Sequence, residues 1–311
     1  MRKRTVISIG NFDGVHHGHR AIVSTLKRLA EQHGDEVVIL TFDPHPNAVL
    51  DPANQPPRLC TPQQKIERLR RAGADRIVVL EPKAEILSQP PEAFVENLVR
   101  TYRPRVIVEG GDFRFGRRRA GDIQLLNKMG GELGFRVEVQ PDVDVMLSDL
   151  TLVTVRSSLI RWLIGQGRVE DAGRCLDEPF SLTGMVARGE QRGRTIGVPT
   201  VNLDLDLLNE YMLPADGVYA GYATWDGQGT PYPAAISVGN KPSFETNRLT
   251  IEAHLVGFEG DLYGQTITLA FTHWLRDQAR FPDVQALRSQ LDRDIQRAAS
   301  VITMEPNAIT R

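Results

Sequence analysis

In the first half of the chain, short apolar runs alternate with stretches whose apolar positions recur at helical spacing. Thr5-Val6-Ile7-Ser8-Ile9-Gly10 is nearly continuous in apolar character, the pattern of a strand buried on both faces. Over residues 19–32, Ile22, Leu26 and Leu29 share one face and Gly34 lies just beyond, which predicts a helix. Residues 37–42 predict a second strand. Thr61-Pro62-Gln63-Gln64 combines a capping threonine, a proline at the first helical position and a glutamine at the third, so a helix is predicted to start there and close at Gly73. Further strands are predicted at residues 76–80, 105–108 and 135–139, separated by helices over 92–102 and 122–133. Strands that alternate with helices build a parallel sheet covered on both faces. Ligands of such sheets gather outside the carboxyl ends of the strands.

The pattern changes near residue 180. Residues 157–176 read as helices. Beyond them come short strand-like runs at 218–223, 234–238, 250–256 and 266–271, broken by frequent turns, which predict a compact antiparallel barrel. Residues 282–299 place Val284, Leu287, Leu291 and Ile295 on one helical face, predicted to pack on that barrel, and the residues after Val301 read as a loose tail. The predicted class is therefore α/β in two domains, residues 1–178 and 179–311.

Composition narrows the class without changing it. The 311 residues carry a formal net charge of −2 with acids and bases interspersed, so no nucleic-acid arm and no membrane-surface patch is expected. The two cysteines, Cys60 and Cys175, stand far apart without metal spacing, which fits a reducing compartment. The basic start Met1-Arg2-Lys3-Arg4 runs into a polar, glycine-containing strand rather than the apolar core of a signal peptide, and no apolar run is long enough to span a bilayer. A cytoplasmic protein is expected.

The candidate chemistry begins at Gly10-Asn11-Phe12-Asp13-Gly14-Val15-His16-His17-Gly18-His19, where the first strand turns into the first helix. A helix start offers unpaired N–H groups and the positive end of its dipole, which suit an anion. The glycines let backbone approach a ligand, and His16 and His19 can donate to phosphate oxygens. Three other segments lie at the same end of the predicted sheet or at a helix start: Thr41-Phe42-Asp43-Pro44-His45-Pro46, the loop Gly110-Gly111-Asp112-Phe113-Arg114-Phe115-Gly116 with Arg117-Arg118-Arg119 after it, and Ser157-Ser158-Leu159-Ile160-Arg161. In the second half, Gly189 to Gly197 form a glycine-rich loop with arginines, suited to wrapping phosphates but lacking the Gly-Lys-Ser/Thr ending of a Walker A loop. Pro199-Thr200-Val201-Asn202 follows it. Glu252 sits in the strand pattern Thr250-Ile251-Glu252-Ala253-His254-Leu255, where a solvent-facing glutamate is also ordinary.

Together these segments resemble the bacterial bifunctional riboflavin kinase/FAD synthetase family over nearly the whole chain. The resemblance implies a Rossmann-like nucleotidylyltransferase domain followed by a six-stranded antiparallel β-barrel riboflavin kinase domain with a C-terminal helix. It implies that His16 and His19 contact ATP phosphates, that Gly10, Phe12, Asp13 and Gly18 line the nucleotide site, and that Asp112, Phe113 and Arg119 lie on the flavin side. Ser157, Ser158 and Arg161 correspond to an element that closes on the triphosphate, although the first serine of that element is Arg156 here and its threonine is Ser158. In the second half, Gly193, Arg194 and Gly197 would hold phosphates, Thr200 and Asn202 would bind Mg²⁺ and ATP, Glu252 would accept the proton of the riboflavin 5′-hydroxyl, and Arg276 would border the isoalloxazine. Gly239-Asn240-Lys241-Pro242-Ser243-Phe244 and Asp261-Leu262-Tyr263-Gly264 extend the match. His254 reads as a strand histidine, and Trp225 and Trp274 as packing residues. The implied small-molecule partners are riboflavin, FMN and ATP, with FAD as product. Two other readings remain at this stage: an adenylyltransferase for a different phosphate ester, and a flavin-binding regulator with an impaired transferase site, which only Arg156 favours.

Overall fold

The computed structural model describes residues 3–188, 197–242 and 247–304. The chain divides into two compact units, Met1–Pro56 with Thr61–Val145 and Val153–Arg156, and Pro57–Cys60 with Met146–Leu152 and Ser157–Arg311.

The first unit is a five-stranded parallel sheet in the order β3-β2-β1-β4-β5, formed by β1 (Thr5–Gly10), β2 (Glu36–Phe42), β3 (Arg76–Leu80), β4 (Pro104–Gly110) and β5 (Arg136–Gln140). Helices α1 (His17–Glu31), α2 (Pro62–Ala72), α3 (Pro91–Tyr102) and α4 (Ile123–Leu133) connect the strands. Both faces of the sheet are buried, which is why the central strands read as unbroken apolar runs. Val6, Val37, Ile39, Val106 and Val108 pack with Val23, Leu26 and Leu29 of α1 on one side. Ile7, Ile9, Val38, Leu40 and Ile107 pack with Phe94, Val95 and Leu98 of α3 and Leu126 of α4 on the other. The expected capping box is present: Thr61 Oγ1 accepts the Gln64 N–H at 3.1 Å and Gln64 Oε1 accepts the Thr61 N–H at 2.9 Å. Helix α1 starts two residues earlier than its apolar face predicts, because His16 is the last extended residue (φ −66°, ψ 174°).

The order of strands makes β1 and β4 the point where connections leave in opposite directions, the position at which sheets of this kind bind their ligands. Parallel pairing between them runs from Thr5↔Pro104 to Ile7↔Ile107. Past that point a side chain takes over: Glu109 of β4, buried, accepts the Ile9 N–H at 2.7 Å and the Ser8 hydroxyl at 3.3 Å. Burial pushes this carboxyl well above the ordinary carboxylate pKa, and the two hydrogen bonds offset only part of that.

The second unit holds a closed barrel in the order β10-β11-β12-β9-β8-β13. Its strands are β8 (Phe180–Ala187), β9 (Val201–Leu203), β10 (Gly217–Trp225), β11 (Tyr232–Pro242), β12 (Asn247–Leu255) and β13 (Thr266–Arg276). A short hairpin of β6 (Asp144–Met146) and β7 (Leu152–Thr154) precedes it in the chain. Strands β8 and β9 were not predicted by the pattern. β9 has three residues, too few to show a period, and Gly184 interrupts β8.

Helices α5 (Ser157–Gly165) and α6 (Val169–Leu176) belong to this second unit, whereas the sequence pattern groups them with residues 1–178. Their link explains the difference. Gly167, between them, lies against Trp274 of β13 so closely that a Cβ there would sit 2.3 Å from the indole. Trp274 in turn meets Tyr219 edge-on at 5.1 Å, as a packing residue should. The last helix, α7 (Val284–Met304), runs three residues past Val301, where the tail was expected to begin, the rest of that tail lying outside the described residues, and its buried Ala298 packs with Val218, Ala220 and Leu275 on the outside of the barrel.

Candidate active sites

In the sheet unit, β1 ends at Gly10 in register with Thr41 of β2, so the turn at 11–16 and the loop after β2 emerge side by side. The turn is tight. Phe12 and Val15 adopt left-handed conformations (φ 48° and 47°) around Gly14 (φ 79°). For a β-branched valine this is a genuine outlier, and strain of this kind persists only where the surroundings over-determine it. Here Thr41 Oγ1 donates to Asn11 O at 3.0 Å, and two cations of α2 reach in. Lys65 Nζ donates to Phe42 O at 2.8 Å and Asn11 O at 3.4 Å, and Arg68 Nη1 lies 3.5 Å from Gly14 O. Both cations are buried. His45 Nε2 meets the Asn11 side-chain amide at 2.9 Å.

The turn delivers His16 and His19 to the start of α1, where no side chain caps the helix. Their rings stack at 3.6 Å with 17° between planes, and Phe12 packs on His19 at 5.0 Å. Gly18 makes room for this: a Cβ there would lie 3.2 Å from the His16 ring. Burial, then the neighbouring His16, then the Lys65 ammonium hold the His19 imidazole well below its ordinary pKa. His19 therefore faces the helix start as a neutral ring, and its buried Nδ1 has no hydrogen-bond partner. Asp13 belongs to a 3-10 turn, Asp13–Val15, and Gly10 packs under the Phe12 ring.

The loop after β4 closes on itself through Phe115 N–H to Gly121 O at 3.1 Å and Gly121 N–H to Phe115 O at 2.9 Å. Phe113 stacks on Phe115 at 5.4 Å, Arg119 is exposed, and Asp112 is exposed and ion-paired with Arg156. Ser157, Ser158 and Arg161 lie at the start of α5 in the second unit, where Arg161 Nε donates to Pro57 O at 2.7 Å.

In the barrel, β12 pairs with β11 and β9 so that Glu252 stands opposite Ser237 on one side and Asn202 on the other. Directly opposed residues of an antiparallel pair have Cβ atoms about 5 Å apart, so these three polar side chains form one row on one face. Ile251 and Ala253 flank Glu252 in sequence and are fully buried, so the row lies on the opposite, outward face. Thr200 immediately precedes β9 and is two residues from Asn202. The segment is fastened at Pro199, whose carbonyl accepts from His254 Nδ1 at 2.8 Å. His254 is thus a strand histidine that fastens the segment ahead of β9, a role the sequence did not reveal. Gly197 has φ 82°, and Gly193 and Arg194 lie outside the described residues, as do Ser243 and Phe244. Arg276 is engaged with buried Asp294 of α7, through Nε at 3.0 Å and Nη2 at 2.7 Å.

The sequence also missed Lys65, Arg68 and Glu109. Cations three apart on a helix read as a solvated face, and only the packing of α2 against the 11–15 turn buries them. An acid inside the apolar run of β4 was the available signal for Glu109. No group of three or more His, Cys, Asp or Glu side chains suited to a metal occurs among the described residues.

A nucleotide-type sheet with an open helix start, joined in one chain to a barrel bearing an oxygen-rich polar row, defines a two-domain phosphate-group transferase. The FAD synthetase family profile matches residues 1–150 and the riboflavin kinase profile matches residues 176–302. Curated relatives named bifunctional riboflavin kinase/FMN adenylyltransferase include those of Bacillus subtilis (32% identical; 95% of this chain and 92% of that one) and Escherichia coli K12 (31%; 93% and 90%). The chain belongs to this bifunctional family and is an enzyme of flavin cofactor biosynthesis. A solved structure described as a macrolide-efflux protein from Streptococcus pneumoniae superposes end to end, with a TM-score of 0.84 and 28% identity over 96% of this chain and 95% of that one. Among the described residues, no helix of this chain is long and apolar enough to cross a membrane.

Proposed function

We propose that the barrel unit transfers the γ-phosphoryl group of ATP to the 5′-hydroxyl of riboflavin, giving FMN and ADP, and that the sheet unit transfers the adenylyl group of a second ATP to FMN, giving FAD and pyrophosphate. The observation that carries this reading is the row Ser237, Glu252 and Asn202 with Thr200 beside it. It puts a carboxylate base next to a hydroxyl and an amide on one face.

In the kinase step, Glu252 takes the proton of the flavin hydroxyl as its oxygen attacks the γ-phosphorus. Thr200 and Asn202 offer neutral oxygen donors of the kind that suit a small hard cation, so Mg²⁺ would be held there together with phosphate oxygens. When bound, the cation would neutralise charge on those oxygens. His254 keeps the Pro199–Asn202 segment in register with the base.

In the adenylyl step the FMN phosphate is already a nucleophile, so the protein has only to position two anions and spread charge at the α-phosphorus. The N–H groups at the start of α1 and the His16 and His19 rings serve that purpose. A neutral His19 donates one hydrogen bond without repelling the nearby Lys65. Asp112, Phe113 and Arg119 would contact the flavin side, and Ser157, Ser158 and Arg161 the triphosphate. We place both reactions in the cytoplasm.

The test is incubation with riboflavin, ATP and Mg²⁺ followed by separation of the flavins. The wild-type chain should yield FMN and then FAD. Glu252→Gln should lower FMN formation by about 10²–10⁴-fold, the usual contribution of a general base, while leaving conversion of supplied FMN intact. Loss of both reactions in a folded Glu252→Gln chain would refute two independent sites.

A further inference from the structure

Arg156 closes the last segment of the sheet unit, Val153–Arg156. Its guanidinium is shared between two carboxylates that arrive from different loops. Nη1 donates to Asp112, two residues past β4, and Nη2 donates to Asp142, two residues past β5, at 3.0 Å. All three groups are exposed: 46% for Arg156, 71% for Asp112 and 61% for Asp142. Ion pairs this open to water contribute little, because solvent screens them and two long side chains must be held still. The guanidinium is therefore held in place yet available to a stronger anion.

Such an anion has a place to bind close by. A Cβ on Gly18 would lie 3.8 Å from the Val155 carbonyl oxygen, so the backbone just before Arg156 runs against the start of α1, beside the stacked His16 and His19. Arginine presents five donors in a planar fork that matches phosphate oxygens in pairs. A polyphosphate carries several such oxygens and more charge than either carboxylate.

We propose that Arg156 is a substrate-binding residue of the adenylyl-transfer site, stored between Asp112 and Asp142 and passed to the nucleotide's phosphates when they bind. The proposal rests on the reading of His16 and His19 as the phosphate cradle. It makes Arg156 a gain of grip rather than an impairment, and it gives the two partners opposite effects. Removing the arginine weakens nucleotide binding, whereas removing a storage carboxylate strengthens it. A structural brace would respond in one direction to both.

The experiment measures FAD formation from FMN and ATP by the full chain, with FMN formation from riboflavin followed in the same preparations. Arg156→Ser should raise KM for ATP about 10-fold or more, the worth of a charge-assisted bond. Arg156→Lys, which keeps the charge but not the fork, should fall between. Asp142→Asn should lower KM for ATP about two- to fivefold, and Arg156→Ser/Asp142→Asn should behave like Arg156→Ser alone. A KM within twofold of wild type for Arg156→Ser, or a raised KM for Asp142→Asn, would overturn the proposal. His19→Asn separates this failure from that of the underlying reading: if His19→Asn leaves FAD formation unchanged, the phosphate cradle itself is wrong and Arg156 falls with it.

Discussion

Glutamine and asparagine at position 254 should behave differently, because the two amides place their nitrogen at different distances from the backbone. The Pro199 carbonyl lies 2.8 Å from His254 Nδ1, and since a carbonyl only accepts, Nδ1 carries the hydrogen. Asparagine puts its amide nitrogen as many bonds from Cβ as Nδ1, so His254→Asn can donate the same bond. Glutamine extends one carbon further, so His254→Gln cannot. The net worth of one such bond is about 1 kcal/mol, equivalent to roughly fivefold in an equilibrium constant. The loss should fall on the segment it anchors, Pro199 to Asn202, while Glu252 stays fixed by its ladder to β11 and β9. His254→Gln should therefore raise KM for ATP in FMN formation by about fivefold with a smaller change in kcat. His254→Asn should stay within twofold of wild type, and FAD formation from supplied FMN should not change in either. The assay is initial-rate FMN formation at varied ATP. Equal behaviour of the two variants, in either direction, would refute the anchoring role.

Other consequences concern charge and burial. Glu109 holds a proton in the folded chain at pH values where the unfolded chain has released it, so stability should fall as pH rises above the ordinary value of 4.5. Glu109→Gln keeps an acceptor for the Ile9 N–H without a charge, so it should unfold at a higher temperature than wild type near pH 8. The gap should close below pH 4.5, and a gap independent of pH would count against a buried charge. His19 has the opposite sign: below the ordinary 6.5 the unfolded chain takes up a proton that the folded site refuses, so stability falls with acidification. In His19→Gln the difference in unfolding midpoint between pH 7.5 and pH 5.5 should shrink; an unchanged difference would place the acid sensitivity elsewhere. Arg276→Ala leaves buried Asp294 with the Gln290 side-chain amide as a donor, at 2.9 Å, and breaking a buried pair this way costs about 3–5 kcal/mol. The unfolding midpoint should drop by roughly 6–20 °C, and Arg276→Met/Asp294→Leu should recover most of it. A double variant no better than Arg276→Ala would attribute the loss to packing.

How much was legible beforehand followed local physics. The central strands of the sheet were readable because burial on both faces makes them continuously apolar, and α2 because its cap and its closing glycine are written in adjacent residues. The short β9 was hidden inside a string that read as chemistry, and the length of α7 depended on packing against strands far away in sequence. His16, His19 and Glu252 were visible as residue types in suggestive strings. Lys65, Arg68 and the Pro199–His254 bond were not, because their meaning lies in partners between 23 and 55 positions away. Arg156 stood out as a departure, but its two carboxylates became apparent only once three loops came together.

The alternation in β12 also limits how this enzyme can change length. Shifting that strand by one position against its neighbours would swing Glu252 into the oily interior of the barrel and turn Ile251 or Ala253 to the outer face. Insertions and deletions inside β12 are therefore tolerated only in even steps, and an odd one should silence the kinase even when the barrel still closes.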